Sequence, residues 1–96
     1  MPILIKVVNK VKKEDLRILK LAEFLIDFLG DDFVSLEAVD LPDGSNVRIV
    51  LRRLDDDVID KALEAIKKAE AEIGEPGIFI PDLVSIDELE RLFEES

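Results

Sequence analysis

The segment Asn9-Lys10-Val11-Lys12-Lys13 is the part of this chain best placed to hold an anion. It sets one amide and three ammonium groups just ahead of a run that reads as a helix start. Free backbone N–H groups at a helix N-terminus, with lysines beside them, can bind phosphate or carboxylate. No glycine-rich turn allows the backbone to wrap such a group, so the segment is not a P-loop and reads as a solvated loop. Side-chain oxygens gather in two further places. Asp40, Asp43 and Asn46 surround a turn, and Asp31 and Asp32 follow the first helical run. Oxygen clusters can take Ca²⁺ or Mg²⁺, but the spacing is not that of a calcium-binding loop, and turns favour Asp and Asn for their own reasons. Asp55-Asp56-Asp57 reads as a capped helix start matched to the macrodipole. No metal ligand is assigned from these clusters.

The alphabet narrows the chemistry further. Only fourteen residue types occur; Thr, Gln, Tyr, His, Cys and Trp are absent. Without His nothing titrates near neutrality, and without Cys there is neither a thiolate nucleophile nor a soft metal ligand. Lysines and four serines remain as nucleophiles, with no base or orienting partner marked beside them. Carboxylates abound, yet no spacing selects a pair in which one would be raised into a general acid. The expectation is no catalytic residue, no cofactor and no enzymatic activity.

Charge is unevenly distributed. The net charge is −10; residues 1–54 balance nine basic against nine acidic side chains, and residues 55–96 hold four basic and fourteen acidic. An acidic chain repels nucleic acid and anionic membrane. Lys6, Arg48 and Arg52 fall on strand-like stretches, but reading bases there needs aromatic platforms, and Tyr and Trp are missing. No partner is required, and neither nucleic acid nor membrane is expected as one. No apolar run is long enough to span a bilayer and no signal peptide pattern opens the chain, so a cytoplasmic or recombinant setting is expected.

Seven elements would position these residues. Residues 2–9 read as a strand, and residues 13–29 as a helix stopped by Gly30. Residues 33–41 and 46–54 read as strands joined by the turn Pro42-Asp43-Gly44-Ser45, where Pro fixes φ and Gly supplies a positive one. A second helix begins after Asp55 and ends at Gly74; Val58, Ile59, Ala62, Leu63, Ile66, Ala69 and Ile73 form its apolar set. Residues 77–80 read as a short edge strand before Pro81, and Ser85-Ile86-Asp87-Glu88 has capping-box spacing for a last helix to about Glu95.

This β-α-β-β-α-β order over residues 2–82 resembles a ferredoxin-like α/β plait, and the regular caps and turns resemble an idealised de novo design. The resemblance is one of element order. It implies an α+β fold in a single domain of residues 1–96. Residues 1–82 would form the plait core, an antiparallel four-stranded sheet in the order 4-1-3-2 with two helices on one face. Residues 83–96 would add a C-terminal amphipathic helix. Acylphosphatases share the plait and use an Arg in the loop after the first strand with an Asn near the third. Asn46 lies in a comparable region, but the loop here has no Arg and the activity is not carried over.

Ile3, Ile5, Val7, Val47, Ile49 and Leu51 should then face the two helices, leaving Leu4, Val8 and Val50 beside Lys6, Arg48 and Arg52 on the open face. The last helix, with Ile86, Leu89, Leu92 and Phe93 along one edge and carboxylates on its flanks, is expected to fold over that face and pair with its cations. The alternative is that it covers a second chain. The first helix is apolar over more than half its circumference, which suggests a partner surface around Leu21, Phe24 and Phe28. Two readings of function result. One is a designed or simplified-alphabet structural scaffold, monomeric and without evolved activity. The other is a small interaction module that binds a partner or itself. Its surface would be helix 1 (Leu21, Phe24, Phe28) or the open sheet with the last helix (Leu4, Val8, Val50, Ile86, Leu89, Phe93).

Overall fold

The computed structural model describes the backbone of residues 4–6 and 13–95 and the side chains of residues 16–91. Its elements are β1 (Leu4–Lys6), α1 (Lys13–Leu29), β2 (Phe33–Ala38), β3 (Val47–Leu51), α2 (Asp56–Ile73), β4 (Pro81–Ser85) and α3 (Ile86–Glu95), with one 3-10 turn, Gly30–Asp32, between α1 and β2. The element order is the expected one. The strand order is not.

The four strands lie side by side in chain order, β1-β2-β3-β4. β1 pairs with β2 in parallel, β2 with β3 antiparallel, and β3 with β4 in parallel. The sheet is therefore mixed, and the ferredoxin-like plait with an antiparallel 4-1-3-2 sheet is corrected: α1 and α2 each connect neighbouring strands and skip none. Charge gives a physical reason. A plait would set β1 against β3, with the cations Lys6 and Arg48 on one face of the central pair. The observed register instead aligns Lys6 with Glu37, Glu37 with Arg48, and Arg48 with Asp82, one residue from each strand with alternating sign. Opposite charges directly across a sheet contribute about 0.2–1 kcal/mol each, and like charges there are destabilising.

One core cluster joins α1 and α2 to one face of the sheet. Ile18, Leu21, Ala22, Leu25 and Leu29 of α1 meet Val58, Ala62, Ala65, Ile66 and Ala69 of α2, with Phe33 and Leu36 of β2 and Val47, Ile49 and Leu51 of β3 beneath them. The β3 residues alternate as the sequence predicts. In β2 the core residues Phe33 and Leu36 are three apart, which an even alternation cannot bury. A bulge between Phe33 and Ser35 supplies the extra residue that turns both inward.

Local chemistry sets the ends. Asp55 caps α2, its Oδ1 accepting the Val58 N–H at 3.0 Å, and Gly74 closes it in the left-handed region at φ 83°. In the hairpin the Gly44 N–H reaches the Leu41 carbonyl across Pro42-Asp43 at 3.0 Å. The Ser85 hydroxyl accepts the Glu88 N–H at 3.2 Å where α3 begins.

The fourth strand is displaced from the expected residues 77–80 to Pro81–Ser85. Pro81, lacking a donor, takes the first position of an edge strand. The expected division between 82 and 83 thus falls inside β4. α3 packs against β3 and β4. Val50 and Val84, paired across those strands and outside the core cluster, are 2% and 8% exposed. Ile3, Val7 and Val8 lie outside the described residues.

Candidate functional site

Three segments converge where α1 begins and α2 ends: the first turns of α1, the start of β3, and the connection 74–80 between α2 and β4. They enclose a recess of about 220 Å³ lined by Arg17, Asn46, Val47, Ile78 and Phe79. A neighbouring groove of about 320 Å³, lined by Leu16, Arg17, Lys20, Glu72, Ile73 and Glu75, runs between the two helices.

Arg17, Asn46 and Glu70 hold the connection. Arg17 grips Glu75 with two bonds, Nη2 to Oε1 at 3.0 Å and Nε to Oε2 at 2.7 Å, the paired geometry that suits a guanidinium and a carboxylate. Asn46 Nδ2 donates to the Ile78 carbonyl at 2.7 Å, and its Oδ1 accepts the Ile80 N–H at 2.8 Å. Glu70 Oε2 accepts the Phe79 N–H at 3.0 Å. An anion entering the recess would have to displace Glu75 from Arg17. Asn46 substitutes for a strand residue: its side-chain amide bonds the Ile78 carbonyl and the Ile80 N–H, beside the backbone bond from the Asn46 N–H to the Ile80 carbonyl at 2.9 Å.

The other sequence candidates are dispersed. Asn9, Lys10, Val11 and Lys12 lie outside the described residues. Asp43 folds back on its own turn, with Oδ1 accepting the Ser45 N–H at 2.9 Å, and this bond holds its carboxyl below the ordinary value. Asp32 and Asp55 share Arg53, at 3.5 and 3.1 Å. No cluster of three acidic side chains fit to hold a metal ion occurs among the described residues. Arg48 pairs with Asp82 of β4 at 3.0 Å and Arg52 donates to the Asp31 carbonyl. The ion pair expected between Arg48 and the last helix is corrected by register, because β4 brings Asp82 directly alongside.

The expected partner surface on α1 also changes. Leu21 is fully buried, and Phe24 and Phe28 pack against the core with their rings 6.4 Å apart. Arg17, Lys20, Phe24 and Phe28 follow one another at helical spacing, and Arg17 reaches Glu75 just beyond α2, so this flank of α1 faces its helical neighbour. Of the remaining candidates, Val50 is buried and Ile86 and Leu89 are half-buried. Leu4 is on β1 opposite Ser35, and the side chain of Phe93, like Val8, lies outside what is described.

The side of α1 turned away from the sheet carries exposed apolar residues. Leu16, which also borders the groove beside Arg17 and Lys20, is 56% exposed, and Leu19 and Ile26, on the margin away from that groove, are 40% and 38% exposed; Leu63 of α2 and Ile80 are exposed as well. The width of the apolar band on this helix was legible in the sequence. Which margin of the band α2 covers depended on strand order.

Comparison with protein families, with curated proteins and with solved structures finds no match to this chain. No helix among the described residues is long and apolar enough to cross a membrane.

Proposed function

We propose that this protein is a non-catalytic interaction module that docks a protein partner on the outer flank of α1. The observation that carries this reading is the exposure of three large aliphatic side chains, Leu16, Leu19 and Ile26, all more than a third exposed, on the solvent side of a single helix. Single apolar residues on a surface are ordinary, whereas several gathered on one element are a more usual mark of a contact site. The recess at Arg17 supports a structural role, since its guanidinium and the Asn46 amide are already engaged with the chain.

Site-specific photocrosslinking tests the proposal. A benzophenone side chain in place of Leu19 is expected to give one discrete protein adduct, and the same group in place of Lys67, exposed on α2, is expected to give none. Equal labelling at both positions, or no adduct at position 19, would return the chain to the alternative of an inert scaffold.

A further inference from the structure

We infer that the partner docked on α1 is a basic amphipathic helix, whose aliphatic residues cover Leu19 and Ile26 and whose lysines or arginines meet Glu23 and Asp27. This rests on the docking role proposed for α1 and adds the chemistry of its partner.

The exposed face of α1 mixes two kinds of side chain. At about 3.6 residues per turn, Ile26, Leu19, Glu23, Leu16 and Asp27 follow one another around an arc of about 100°, with Lys20 at its margin. All five are exposed. The carboxylates among them are short of counter-charge. Glu23 pairs with Lys20 at 3.2 Å, and no ion pair among the described residues reaches Asp27. Glu23 and Asp27 are four apart, the spacing at which like charges on a helix oppose each other. The last turn of α1 holds no basic residue, so the negative end of the helix dipole adds to them. Arg52 and Arg53, which reach the segment after the helix, are committed to the Asp31 carbonyl and to Asp32 and Asp55.

Such a face sets two requirements on what covers it. Leu19 and Ile26 gain from apolar cover, which a purely ionic ligand does not supply. Glu23 and Asp27 lose hydration when covered, which counts against an apolar or acidic partner that brings no counter-charge. A helix with aliphatic residues on one face and cations along its margin meets both requirements and can lay its ridges against those of α1. Leu16 and Ile26 are about 15 Å apart along the axis, so a partner helix of about three turns spans the face. The net charge of −10 also draws a cationic partner from solution.

The test uses a fluorescently labelled synthetic helix, leucine on one face and lysine on the other, titrated with the full chain and read by anisotropy at about 0.15 M salt. Binding is expected, and a probe with glutamate in place of lysine should not bind. Leu19→Ser should weaken binding about tenfold. Glu23→Lys together with Asp27→Lys should weaken it by about tenfold or more. Asp60→Lys together with Glu64→Lys alters two exposed α2 carboxylates at the same spacing and changes the net charge equally, and should weaken binding far less. Circular dichroism of each variant separates lost binding from lost folding. Equal losses from the two double exchanges would reduce the interaction to non-specific attraction and overturn the inference, as would a probe indifferent to Leu19→Ser. If position 19 crosslinks a protein while the Leu/Lys helix fails to bind, the basic partner is wrong and the docking flank stands. Absence of both adduct and binding removes the flank as well.

Discussion

Asn46 illustrates how a single amide can be read in two ways. Its residue type and its place beside a turn suggest chemistry, yet both ends of the side chain are bonded to the stretch 78–80 that leads into β4. Replacing it with alanine strands one donor and one acceptor. We expect Asn46→Ala to lower unfolding free energy by about 1–2 kcal/mol, with faster hydrogen exchange at the Ile80 amide than elsewhere in the sheet. Unchanged exchange there would deny the bracing role. Asp43 is a second residue whose behaviour is local. The Ser45 N–H stabilises its charged form, so its carboxyl should titrate below the ordinary 3.8 when followed by NMR. Because the folded value is the lower one, the contribution of this bond is present above the ordinary value and is lost as pH falls through the lowered one. In Ser45→Pro, which removes the donating N–H, the midpoint should return towards the ordinary value.

At the scale of elements, the ends of α2 were legible from the sequence because capping chemistry is local. Asp55 and Gly74 occupy the positions their residue types suggest. Asp55→Ala should cost about 1 kcal/mol through loss of the bond to the Val58 N–H. Gly74→Ala should cost about 1–2 kcal/mol, and purely through backbone strain, since a Cβ at Gly74 meets nothing within 4 Å. Thermal melts of the two variants check both figures, and a neutral Gly74→Ala would remove the left-handed closure from the account. The bulge in β2 was not legible by alternation. Phe33 and Leu36 signal it only to a reader who asks how two core residues three apart can share a face. The start of β4 was misplaced for a related reason: Ile78, Phe79 and Ile80 have strand-like composition, but their backbone is satisfied by Glu70 and Asn46 along with the main chain.

For the whole molecule, the two sheet faces differ in what covers them. One carries the α1–α2 pair and the continuous core. The other carries the alternating row Glu37, Arg48, Asp82 and, two residues along, Ser35, Val50 and Val84. α3 touches β3 and β4, where Val50 and Val84 are shielded. A chain ending at Ser85 should uncover these two valines, melt at lower temperature and bind a hydrophobic dye that the full chain excludes. Truncation without effect on melting or dye binding would mean that α3 contributes nothing to that half of the sheet.

The sequence by itself determined the number and order of the elements and the ends of α2, because helical and strand periodicity, caps and turn residues act over a few neighbours. It also determined which chemistries were missing, since absent side chains cannot be supplied by folding. Only the tertiary structure decided which strands are neighbours, because the same element order suits crossovers that skip a strand and crossovers that do not. That choice placed α2 against the Phe24–Phe28 side of α1 and left Leu16, Leu19 and Ile26 in solvent. Burial is a property of pairs of elements, and no single element's pattern contains it.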